Sequence, residues 1–313
     1  MPSYSGVWTL TAQYQALGSG NWPGAPLQGN IGLFAGGTSN GNVIDYITIA
    51  SAGNATDFGD LLTAQSAFAS CASTTRGLFG GGSNAPANTI EFVTIATTGN
   101  ATDFGDLILG LENLGACSST TRGVFGGGFS PTENIIQYVT IATTGNALDF
   151  GDLSEARYSV RACASPTRGL FFGGFVNPPG TRLNTIDFIT IATTGNATDF
   201  GDLLNNITGG ASCSSSTRGL YAGGYNGSIE VNVIQYVTIA STGNATDFGD
   251  LIFGVSNLAA CSNASRGVFG GGSPSNVIQF VTIATTGNAT DFGDLTFSRD
   301  SIASCSNSSG GVQ

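Results

Sequence analysis

Acid–base, nucleophilic and metal chemistry each need particular side chains, and this 313-residue sequence supplies them unevenly. It contains no His and no Lys, and its nine basic residues are all Arg. His is the commonest general acid–base group and Lys the Schiff-base former, so neither chemistry is expected. Of the twenty Asp and Glu, most are the paired aspartates of one recurring motif, such as Asp57 and Asp60. Glycoside cleavage needs an acid with a raised pKa in a unique place, whereas these acids are copies in symmetric positions. Outside the motif, Glu112, Glu133, Glu155, Glu230 and Asp300 are scattered along the chain. A non-enzymatic protein is expected, with a polysaccharide-active enzyme as the last alternative.

The other chemical motifs read as structural. Asp-Phe-Gly occurs six times but without the Lys, His-Arg-Asp loop or phosphate-cradling glycines of a kinase. The Gly triplets at 80–82, 126–128 and 270–272 lack the Lys-Ser/Thr of a phosphate loop; close packing against neighbouring backbone explains them better. Asn54, Asp57 and Asp60 are oxygen donors of the type calcium takes, yet local Asx-type turns use the same residues, and no metal or cofactor is predicted. The Asn-Ala-Thr sequons, as at Asn54 and Asn100, read as turn chemistry rather than glycosylation sites.

Six cysteines, Cys71, Cys117, Cys163, Cys213, Cys261 and Cys305, each lie 18 residues after a repeated glycine. Equivalent positions on neighbouring sheets are about 10 Å apart, beyond the ~7 Å Cα separation a disulfide spans. Free, buried thiols are therefore predicted. Arg76, Arg122, Arg168, Arg218 and Arg266 recur five residues after five of these cysteines and are expected to pair with repeat carboxylates such as Asp57. Ile31 holds this position in the remaining repeat.

These residues are positioned by a repeat. The unit Gly-Asn-Ala-Thr-Asp-Phe-Gly-Asp-Leu returns with its glycine at 53, 99, 145, 195, 243 and 287, at spacings of 46, 46, 50, 48 and 44 residues. A period of that length marks a propeller or a solenoid. Each repeat holds four short strand-like pieces with Gly or Asn between them: a small-residue strand around the cysteine, Arg-Gly-Val-Phe-Gly-Gly, an aromatic strand such as 136–142, and the Asp-Phe-Gly-Asp strand. In the third piece Ile136 and Tyr138 alternate with Val139 and Ile141, so both faces are apolar, as in a sheet wedged between two others. Residues 32–61 carry only the last three strands of a blade and residues 301–307 only a first. Together they complete one blade and remove the open edge. An all-β, six-bladed propeller over residues 30–313 is predicted, preceded by an arm of residues 1–29. Thr9 could cap a short helix over residues 10–17, and Trp8, Tyr14 and Trp22 suit an arm that docks on a neighbour.

With a net charge of −11 and a pI near 4.1, the chain lacks the cations that supply nucleic-acid affinity. No apolar run is long enough to span a bilayer, no basic n-region with an apolar h-region opens the chain, and neither membrane insertion nor a Sec-type signal is expected.

The glycine doublets and triplets closing the second strand, the aromatic third strand and the following Asp-Leu resemble a kelch-type propeller. The kelch arginine stands only at Arg157 and Arg299, with Gln65, Leu111, Ile207 and Val255 elsewhere, and no family tryptophan marks the fourth strand. More narrowly, VTIATTGNATDFGDL and ACSSTTRGVFGGG are similar to repeats in virion and tail-fibre proteins of marine bacteriophages, cyanophages in particular. The lead-in around Trp8 and Trp22 is similar to N-terminal arms of such proteins. The resemblance implies a virion structural protein, part of a tail fibre or external appendage. Such a protein is assembled in the host cytoplasm, exposed on the particle, and joined to other virion proteins through residues 1–29, with homo-oligomers allowed.

Repeat-to-repeat variation points to one face. The connection from first to second strand has constant length, whereas the second-to-third connections at 129–135, 175–185 and 225–233 differ. The connection from each fourth strand to the following blade, on the same side, varies in sequence. Insertions and varied side chains on one side mark a binding face. Tyr158, Arg161, Asn177, Arg182, Tyr225 and Asn226 are the candidates, for contact with a host surface glycan or protein.

Overall fold

The computed structural model describes residues 30–38, 41–84, 86–273 and 275–308. The arm, with Trp8, Tyr14, Trp22 and the helix expected at 10–17, lies outside them. The described residues form six four-stranded antiparallel sheets. Blade 2 shows the pattern: Ala69–Ala72, Arg76–Gly80, Thr89–Thr94 and Thr102–Asp106 pair in chain order from the inside outwards. Blades 3 to 6 open with Gly115–Ser118, Arg161–Ala164, Ala211–Ser214 and Ala259–Ser262. Blade 1 is composite, as predicted: Ala303–Ser306 supplies the first strand to Ile31–Ala35, Val43–Thr48 and Thr56–Asp60, with Gly32 opposite Ser306 and Ala35 opposite Ala303. The six first strands pack on one another in a ring around the axis. The fold is an all-β, six-bladed propeller.

Apolar cores lie between blades rather than within them. One cluster joins Leu78, Ile90 and Phe104 of blade 2 to Phe125, Val139 and Ile141 of blade 3, and each blade boundary repeats it. The Phe of Asp-Phe-Gly reaches this core through a β-bulge. Ile44 pairs with Gly59 and Asp45 with Asp57, so Phe58 is the extra residue and turns inwards. It meets the third-strand aromatic edge-on, Tyr46 with Phe58 at 6.1 Å and Phe280 with Phe292 at 5.8 Å, a pairing worth about 0.5–1.5 kcal/mol beyond burial.

The six thiols are free and buried, as predicted. Each packs against the glycine that follows the repeat arginine position in an adjacent blade: a Cβ on Gly123 would lie 2.7 Å from Cys71 Sγ, and one on Gly32 would lie 2.5 Å from Cys261 Sγ. Burial raises their pKa, to about 12 for Cys163 and Cys261, so they are thiols at neutral pH.

The repeat's Gly-Asn turn acts across the blade boundary instead of forming the local Asx turn expected. Gly99 N–H donates to Phe58 O at 2.9 Å and Ala101 N–H to Asp60 O at 2.7 Å, while Asp60 N–H donates to Asn100 Oδ1 at 3.1 Å. The turn of one blade thus covers the open edge of its neighbour's outermost strand, which would otherwise present unpaired backbone groups. Gly59, at φ +148°, allows the approach, since a Cβ there would lie 2.5 Å from Gly99 O. Gly-Asn-Ala and Asp-Phe-Gly-Asp are two halves of one contact.

The repeat arginines do not pair with Asp57 or its equivalents. Arg76 lies over the ring of Phe92, 4.5 Å from its centroid, and Nη1 donates to Ile141 O of blade 3 at 3.1 Å. Arg122, Arg168, Arg218 and Arg266 repeat both contacts. A guanidinium stacks on an aromatic face and satisfies a strand-end carbonyl at once, whereas Asp57 sits exposed on the outermost strand.

Candidate functional site

Each connector entering a blade is pinned from below by one buried side chain of that blade's third strand. The backbone N–H donates at 2.7 Å from Leu62 to Glu91, Ile108 to Gln137, Leu204 to Gln235 and Ile252 to Gln279. In blades 4 and 1 the acceptor is Asp187 or Asp45, reached by Ser154 N–H at 3.0 Å and Thr296 N–H at 3.1 Å. Those two blades also carry Arg157 and Arg299, in the two ion pairs found among the described residues: Arg157 Nη2 to Asp187 Oδ2 at 3.0 Å and Arg299 Nη2 to Asp45 Oδ2 at 2.8 Å. Where the acceptor is Gln, the arginine position holds Leu111, Ile207 or Val255. These clamps set the height of the loops on the variable face.

That face gathers most of the large exposed apolar side chains among the described residues. Of the eight large hydrophobic side chains exposed among the described residues, Leu62, Ile108, Leu109, Leu204, Ile252 and Phe297 lie in connectors entering blades, and Ile229 lies between the second and third strands of blade 5. Only Leu148 lies elsewhere, on an outermost strand.

The face has two unlike halves. Directly after the glycine doublets come Thr38, Ser83 and Ser273 in blades 1, 2 and 6, but Phe129, Phe175 and Tyr225 in blades 3, 4 and 5. On the first half hydroxyls meet, Ser66 Oγ with Ser83 Oγ at 2.7 Å and Thr38 Oγ1 donating to Asp300 Oδ1 at 2.9 Å. On the second, rings form a row. Tyr158 lies 4.8 Å from Phe129 and 5.4 Å from Phe175, between centroids. Arg182 continues the row, 5.3 Å from the Phe175 centroid and 4.9 Å from that of Tyr225. Longer strands carry it: Arg168–Val176 and Thr181–Thr190 of blade 4 extend far enough to pair Phe175 with Arg182. All five side chains are half-buried, open to a partner on one side. Rings held rigidly at low entropic cost make good contact residues.

The predicted residues thus separate. Tyr158, Arg182 and Tyr225 come together in the row. Asn177 is exposed at the tip of the blade 4 hairpin, where its carbonyl accepts Thr132 Oγ1 at 3.4 Å. Asn226 is exposed, but its Oδ1 accepts the N–H groups of Ser228 at 2.9 Å and Ile229 at 3.0 Å and is occupied in shaping its own turn. Arg161 is elsewhere, at the mouth of the axial channel. It opens a first strand at the position where the other blades have Ala69, Gly115, Ala211, Ala259 and Ala303. Phe129 and Phe175 were missed by sequence reasoning. The available signal was their shared place after the glycine doublet, where Tyr225 also stands.

Fold and face together define a repeat propeller with one uniform face and one individual face. No protein-family model matches the sequence, and comparison with curated proteins finds no match.

Proposed function

We propose that this chain is a non-enzymatic display propeller of a phage virion, a tail-fibre or external-appendage component whose individual face meets the partner. The observation that carries the reading is the concentration, among the described residues, of seven of eight exposed large hydrophobic side chains, with the aromatic row, on that one face. Exposed apolar surface gathered in one place marks an interaction site. The phage setting and the kelch kinship rest on the similarity of the repeats to marine phage virion proteins and kelch blades. The expected docking element for other virion proteins is the arm of residues 1–29.

Immunogold electron microscopy of purified particles, with an antibody against residues 30–313, tests this. Label on a fibre or appendage is the expected result. An accessible epitope that gives no label on intact particles would overturn it.

A second reading, host glycan contact, is favoured by the row itself, because ring faces beside a guanidinium suit sugar rings bearing acidic groups. Saturable binding of the full chain to host cells, lost in the triple variant Tyr158→Ser, Arg182→Ser, Tyr225→Ser, is expected. Binding unchanged in that variant would exclude the row.

A further inference from the structure

Three blade-specific residues converge at the mouth of the axial channel. The residue before the first strand is large and apolar in the other blades, such as Leu114 or Val160, but is Gly210 in blade 5. The buried second-strand aromatic is Phe elsewhere, such as Phe125 or Phe171, but is Tyr221 in blade 5. Tyr221 fills the space that Gly210 vacates: a Cβ on Gly210 would lie 2.5 Å from its ring, and Gly210 N–H donates to Tyr221 Oη at 3.1 Å. Neighbouring blade 4 then supplies Arg161, whose Nε donates to Gly210 O at 2.7 Å and whose Nη1 donates to Val160 O at 3.1 Å.

The guanidinium is fixed by two backbone carbonyls and faces no carboxylate, since the ion pairs among the described residues belong to Arg157 and Arg299. Among the described residues its hydrogen bonds run from Nε and Nη1 alone. It lines a cavity of about 60 Å3 on the propeller axis, walled by first-strand residues of all six blades, including the hydroxyl-bearing Ser70 and Ser212. Arg161 is half-buried, and partial removal from water depresses its pKa; an anion in the cavity would meet a cation that has no carboxylate partner. The repeat aspartates are on the outermost strands, at the far end of each blade from the axis, so they do not supply it.

We propose that the axial cavity is a binding site for a small carboxylate, received by the free edge of Arg161. The planar guanidinium fork matches a planar carboxylate better than a spherical ion. A volume of about 60 Å3 holds a few water-sized groups, the size of formate or acetate. The channel mouth opens on the individual face, but this site is independent of the aromatic row and of the virion reading.

The test titrates sodium acetate and sodium formate, against sodium chloride at matched ionic strength, into the full chain, following Tm and the line width of carbon-13-labelled acetate. Saturable binding of both carboxylates, tighter than chloride, is expected. Arg161→Ala restores the residue that most other blades carry and should weaken binding about tenfold or more, as loss of a charge-assisted contact does. Arg161→Gln removes the charge while keeping an amide donor, and should weaken binding similarly if the alanine variant does not fold. No saturable binding to the wild type, chloride binding as tightly as acetate, or affinity within twofold of wild type in either folded variant would overturn the proposal.

Discussion

Replacing Arg157 by Leu separates the worth of a buried ion pair from the cost of breaking it. Arg157 and Asp187 are both fully buried and 3.0 Å apart, yet Arg157 Nε and Nη1 and Asp187 Oδ1 find no partner among the described residues. Burial lowers the Arg157 pKa, and the attraction of Asp187 opposes that shift. Arg157→Leu leaves Asp187 charged and unpaired beneath the connector, at a cost of about 3–5 kcal/mol. At ~2.1 cal/mol/K per residue over the propeller, each kcal/mol moves Tm by about 2 °C, so a fall of roughly 6–10 °C is expected. The chain itself supplies the repair: blade 5 uses Leu204, Ile207 and Gln235 at the equivalent positions. The triple variant Ser154→Leu, Arg157→Ile, Asp187→Gln should recover most of the loss, because replacing a buried pair by apolar groups is often neutral or stabilising. Calorimetry and urea midpoints on the single and triple variants provide the measurement. A single variant within about 1 °C of wild type, or a triple variant no better than the single, would refute the reasoning.

Three further outcomes follow from the blade contacts. Glu91 stands where three blades have Gln, and burial raises its pKa against the bonds it accepts from Leu62 and Thr63. A carboxyl whose folded pKa is raised contributes most below its unfolded pKa, and that contribution is lost as pH rises through the folded value. Glu91→Gln should therefore raise Tm at pH 7, and the gain should shrink toward pH 4; an equal gain at both would contradict the assignment. Gly169→Ala brings a Cβ to 2.6 Å from Cys117 Sγ and should cost about 1–3 kcal/mol by overpacking, with Cys117→Ala restoring part of it; no rescue in thermal melts would show that the sulfur is not the obstacle. None of the six thiols should react with a thiol reagent at pH 8 in the folded protein, and all six should react once it is denatured, which a colorimetric titration reads directly.

Much of the architecture was legible because it is periodic and local. A repeated glycine near every 46 residues, alternate apolar residues on both faces of the third strand, and complementary partial blades at the two ends imply the number of blades and their closure. The cysteines expected to be free are free and buried, each seated on a glycine of an adjacent blade, although the first strands lie closer than the sheet spacing behind that expectation: Ser118 Oγ donates to Ala72 O, its neighbour's equivalent, at 2.8 Å. The arginines could not be assigned in this way. From sequence, a recurring cation among many aspartates suggests an ion pair, but Arg76 chooses the ring of Phe92 and the carbonyl of Ile141, 65 residues away.

By itself the sequence determined the fold class, the repeat boundaries and the side on which variation gathers, since each follows from spacing along one chain. Only the tertiary structure decided which residues meet. Phe129, Tyr158, Phe175, Arg182 and Tyr225 become one row because the lengthened hairpin of blade 4 stands between two neighbouring blades. Arg161 leaves that group because its place at the start of a first strand turns it to the axis. Asn100 and Gly59 find each other across a blade boundary. Such meetings depend on the rotation from blade to blade, and that rotation is fixed by packing between sheets rather than by any local pattern of residues.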